Sequence, residues 1–78
     1  MSASGGALFD EVVAASRLSP VIARFTVSRL LISAGVLPDE MTPRGLAEAL
    51  PRLEEGLAVY LADDELNAAL AEIRRLAG

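Results

Sequence analysis

The chain is 78 residues long and sets seven cationic side chains, all arginine, against eleven carboxylates, for a net charge of −4. It has neither cysteine nor histidine, which removes disulfides, thiol catalysis, the usual structural zinc sites and the commonest acid–base residue. The negative balance argues against a dedicated nucleic-acid binder, whose affinity comes largely from neutralising phosphates, and equally against an anionic membrane surface.

Met1 to Gly6 is a small polar lead with nothing to bury, so a flexible tail is expected over residues 1–6 and a single helical domain over 7–78. The lead lacks the charged and apolar regions of a signal peptide, and no apolar run approaches the roughly 20 residues needed to span a bilayer. The expected location is cytoplasmic. The first predicted helix runs from Ala7 to Leu18, with Leu8, Val12 and Ala15 on one face and Phe9, Val13 and Ser16 beside them. Asp10 and Glu11 are placed in its first turn, where the helix dipole favours negative charge. Ser19-Pro20 then breaks it, because the residue before proline avoids the helical region.

The same pair starts the most apolar segment, Ser19 to Leu37. The Ser19 hydroxyl can cap a free N–H, and Pro20 sits where its missing N–H costs nothing. Gly35 is the matching stop, a left-handed position that lets Val36 pack back on Leu31 in a Schellman motif. At 3.6 residues per turn, Ala23, Val27, Leu30, Leu31 and Ala34 form one broad stripe, while Val21, Phe25 and Ile32 form a second. Only Thr26, Arg29 and Ser33 read as wet. A helix apolar on two faces is expected to be central, covered by its neighbours or by a second chain.

Beyond Gly35, the apolar residues of Val36 to Met41 are expected to tuck under the bundle. Thr42-Pro43 repeats the start signal and opens a helix to Leu50, with Leu46, Ala47 and Leu50 inward. Proline within a helix removes a hydrogen bond and costs about 3 kcal/mol. Pro51 is therefore read as opening a new helix to about Leu61, with Leu53, Leu57 and Tyr60 or Leu61 inward and Glu54 and Glu55 near its positive end. Gly56 either weakens that helix or lets another come close. Asp63 caps the last helix, which Asp64 and Glu65 open and Arg74 and Arg75 close at its negative end; Leu66, Ala69, Leu70, Ile73 and Ala77 follow helical spacing. The fold expected is all-α, a small bundle of about four to five short helices associating as a dimer.

Candidate sites have plain structural explanations. Asp63, Asp64 and Glu65 lack the spaced oxygens and turn glycine of a calcium loop and read as helix-start residues. Asp39 and Glu40 read as a solvated loop, since no nucleophile or histidine accompanies them. Ser16, Ser28 and Ser33 have no assignable basic partner. Arg24 and Arg29 interrupt the most apolar helix and must reach water, a carboxylate or a partner.

Thr42 to Ala62 superficially resembles a helix-turn-helix, through Leu46 to Leu50, a tight Pro51-Arg52-Leu53 turn and a second helix. Its recognition helix would then lead with Glu54-Glu55, the wrong sign for phosphates. A vaguer likeness to the histone fold rests on a helix ending at Ala34-Gly35 and an acidic opening of the last helix. That fold's long middle helix would have to pass Pro51 unbroken, and its basic DNA-contacting loops are absent, so neither family is assigned.

Of the residues, 53% are hydrophobic, yet Phe9, Phe25 and Tyr60 are the only aromatic ones. The excess is Leu, Ala and Val. A chain of this length buries only about two-thirds of its unfolded surface, so so much aliphatic content leaves an apolar patch outside the core. The expectation is a non-enzymatic, cofactor-free interaction or adaptor module that forms a homo-oligomer and engages a protein partner, with Phe25, Arg29 and Ile32 as its contact surface. Leu66, Leu70 and Ile73 are the second candidate surface. The alternative is a small DNA-binding regulator in which Arg24, Arg29, Arg44 and Arg52 gather on one face.

Overall fold

The computed structural model describes residues 5–78, folded as four helices: α1 (Gly5–Ala15), α2 (Pro20–Ser33), α3 (Pro43–Leu57) and α4 (Asp63–Leu76), with a 3-10 turn (Pro38–Glu40) between α2 and α3. The chain is all-α, with no strand among the described residues. Each helix packs on its neighbours in chain order and α4 closes back on α1, while the 3-10 turn seals the side between α1 and α2. The four inward stripes meet in one core cluster that includes Phe9, Val12, Val27, Leu31, Leu46, Leu53, Leu57 and Ile73.

Both predicted proline starts are present. Ser19 Oγ accepts from the Val21 N–H at 3.4 Å, and Thr42 Oγ1 accepts more tightly from the Gly45 N–H at 3.0 Å, each supplying an acceptor to a helix-start donor that has no intrahelical partner. The stop at Gly35 is a Schellman motif: φ is +83°, the Val36 N–H donates to the Leu31 carbonyl and the Gly35 N–H to that of Ile32, both at 2.9 Å. Leu31 and Val36 both enter the core.

Four local expectations are corrected. The tail expectation lies outside the described residues for 1–4, and Gly5 and Gly6 are already helical, which moves Asp10 and Glu11 out of the first turn. α1 stops at Ala15, short of Leu18: the buried Ser16 hydroxyl donates to the Val13 carbonyl at 2.7 Å and accepts from the Leu18 N–H at 3.3 Å, and Arg17 turns the chain at φ 64°. A serine that satisfies backbone groups locally competes with continued helix. At the start of α4 the cap is Ala62, with Asp63 the first helical residue and no side-chain cap bond. Along the α2–α3 connection Val36 and Met41 are buried but Leu37 is 56% exposed.

The largest correction concerns Pro51, which lies inside a continuous α3. Leu46, Ala49, Leu53 and Leu57 form one unbroken buried stripe along that helix, and full burial of each leucine is worth about 1.5–3 kcal/mol. Breaking the helix would misalign that stripe, a larger loss than the roughly 3 kcal/mol of an interior proline. Pro51 and Ala47 are both exposed, so water can reach the Ala47 carbonyl that proline leaves without a donor. Ala47 accordingly faces out, and Ala49 takes the inward place. Glu54 and Glu55 therefore lie near the C-terminal, negative end of α3 instead of at the positive end of a separate helix. With no turn at Pro51, the helix-turn-helix outline disappears, and so does the objection to the histone likeness that rested on a break there.

Candidate functional site

α2 is not a central helix covered on both faces. Ala23, Val27 and Leu31 are fully enclosed, with Leu30 and Ala34 half-buried beside them, so the first stripe is the one the bundle uses. The second stripe points out: Val21 is 88%, Phe25 65% and Ile32 55% exposed. Three large apolar side chains at helical spacing thus make an uncovered ridge along α2.

A groove runs beside the ridge on the α3 side, with a volume of about 450 Å³. Ile22, Phe25, Thr26 and Arg29 supply its α2 wall, and Val59 and Tyr60, from the turn after α3, stand opposite. Its floor is the crossing of α2 and α3, where the half-buried Leu30 side chain lies on Gly56 in the space a side chain there would fill. Gly56 is therefore a close-approach glycine, the second of the two roles expected for it. On the other side of the ridge, Phe9, Ser28, Pro38 and Asp39 border a depression of about 410 Å³ that Phe25 and Arg24 also line. Phe25 thus stands between two hollows.

The two α2 arginines are used differently. Arg24 Nη1 donates to Asp10 Oδ1 at 2.7 Å and its guanidinium lies 5.0 Å from the Phe9 ring centroid, tying α2 to α1 at an exposed edge, where such a pair is worth well under 1 kcal/mol. Arg29 lies 5.5 Å from the centroid of Phe25, along the groove. The structure therefore brings Phe25 and Arg29 together and sets Ile32 farther along the same ridge.

The second candidate surface is corrected. Leu70 and Ile73 are 3% and 0% exposed and Leu66 is packed against the core, because this stripe faces α1 and α3; it holds the bundle together and is closed to a partner. Tyr60 is likewise outward, 54% exposed, while Leu61 takes the inward position. Val59, 78% exposed, and Ile22 belong to the surface and were not singled out from the sequence. Ile22 could have been found from its helical spacing with Thr26, Arg29 and Ser33, the strip read as wet.

Among the described residues there is no cluster of three or more potential metal-ligating side chains, and no buried side-chain polar atom is left without a hydrogen-bond partner. None of their helices is long and apolar enough to cross a membrane. What the geometry defines is a small helical bundle with one helix uncovered along an apolar, arginine-edged face. Set against protein-family models, curated proteins and solved structures, the chain has no match.

Proposed function

We propose that this protein is a non-enzymatic interaction module that self-associates through the outer face of α2. The observation that carries this reading is the ridge of Val21, Phe25 and Ile32, exposed next to a groove walled by Val59 and Tyr60. A monomer that keeps so many large apolar side chains together in water has a surface suited to burial against another protein. Arg29 beside Phe25 adds the aromatic and arginine pairing in which interface anchors are enriched.

Light scattering across a range of protein and salt concentrations tests the reading. The expected result is a dimer that persists as salt rises, since apolar contact is not screened, and that dissociates in the Phe25→Glu variant. Phe25 is already outside the core, so the variant keeps its helical circular dichroism. A compact monomer at the highest concentrations would refute the proposal.

A further inference from the structure

From the order of side chains along α2, we infer that the occupant of this face is a second copy of the chain, docked antiparallel about a two-fold axis that passes between positions 26 and 27. The inference rests on the self-association reading and adds its geometry. One line along the outside of α2 runs through the exposed Val21, Phe25 and Ile32 and the half-buried Ser28, at successive spacings of four, three and four. That is the alternation that keeps a seam of side chains on one line of a helix facing a partner helix. It is also the same read from either end, so a reversed copy meets it in register. Val21 then opposes Ile32 of the second copy, and Phe25 opposes its Ser28.

Size complementarity supports that register. Phe25 is the largest side chain of the seam and stands 65% exposed, whereas Ser28 is the smallest and borders the depression of about 410 Å³ on the α1 side. A two-fold axis sets each phenyl ring over the other copy's serine, twice, with knob and hole supplied by the same helix, as an isologous interface requires. Pairing α2 in parallel would set Phe25 against Phe25 and Ser28 against Ser28, crowding one level and leaving the other empty.

Charge favours the same arrangement. α2 contains no carboxylate, and its two cations flank the seam without entering it. Arg24 is neutralised by Asp10. Arg29, which lies over its own Phe25, comes level with the other copy's Arg24, whose charge Asp10 offsets, and one residue along from its Phe25, where it gains a second ring face. α2 itself brings no carboxylate to the contact; Asp39, at the border of the depression beside Ser28, is the carboxylate that lines the hollow facing the other copy's Phe25. Area is sufficient as well. Val21, Ile22, Phe25, Ile32, Val59 and Tyr60 together expose on the order of 700 Å² per copy, so complete cover of the ridge and of the groove wall opposite it removes at most roughly 1,400 Å², which reaches the ~1,200–2,000 Å² of stable interfaces.

The chain has no cysteine, so introduced thiols report without interference. Val21→Cys and Ile32→Cys, both at exposed positions, are prepared separately, mixed and oxidised, with the mass of each sample measured under reducing conditions. The antiparallel register predicts a disulfide-linked heterodimer in the mixture and little coupling of either variant with itself, because only the mixed pair brings Cα atoms within bridging distance. Self-coupling of each variant would overturn it in favour of a parallel pair. A dimeric mass with no coupling in any sample would overturn it in favour of another surface. A monomeric mass throughout would remove the self-association reading beneath it.

Discussion

Leu30 packs on Gly56 so closely that a methyl group added at Gly56 would overlap the Leu30 Cδ atoms and stand 2.9 Å from its Cγ. Both residues line the groove, so this crossing sets the groove's depth as well as the α2–α3 distance. Gly56→Ala improves helix propensity by about 1 kcal/mol but forces Leu30 out of its place. The net expectation is a loss of about 1–2 kcal/mol in urea unfolding, against the gain that propensity alone would give.

Pro51 offers the opposite case. Its ring occupies an exposed position in the middle of α3, where the missing N–H leaves the Ala47 carbonyl to solvent. Pro51→Ala restores that hydrogen bond, and thermal or urea unfolding should show a gain of about 1–3 kcal/mol, the lower figure reflecting the extra freedom of the unfolded chain.

Arg17 holds a left-handed conformation at φ 64°, which costs a side-chain-bearing residue about 1–2 kcal/mol. Glycine removes that strain at an entropic cost of about 0.5–1 kcal/mol. Arg17→Gly is therefore expected to raise stability by up to about 1 kcal/mol with no change in helix content by circular dichroism.

Glu55 sits in the last turn of α3, exposed, at the negative end of the dipole. Glu55→Lys reverses an unfavourable interaction and should stabilise the fold by about 0.3–1 kcal/mol at low ionic strength. The gain should shrink as salt is added, and a gain unaffected by salt would point away from the dipole.

Where the signals are short-range, the sequence is legible. Ser19-Pro20, Thr42-Pro43 and Gly35 act through hydrogen bonds within a turn or two, and each appears where its chemistry places it. The inner stripe of α2 was readable for the same reason, as was the outward position of Phe25 and Ile32 once one face had been assigned to the core. Pro51 misled because its local cost was weighed without the long leucine stripe it interrupts. Leu66, Leu70 and Ile73 misled because an apolar stripe looks the same whether it meets the rest of the bundle or a partner, and Tyr60 and Leu61 are alternatives that spacing alone leaves equal.

By itself, then, the sequence determined an all-α chain, where two of its helices start and one stops, and that α2 carries more apolar surface than one core can use. Only the tertiary structure decided that α3 runs through Pro51, that α4 is spent on the core, and that Val59 and Tyr60 join the α2 ridge to wall a groove. Caps and turns are determined by a few neighbouring atoms, whereas the allocation of apolar faces depends on which elements are left to cover them.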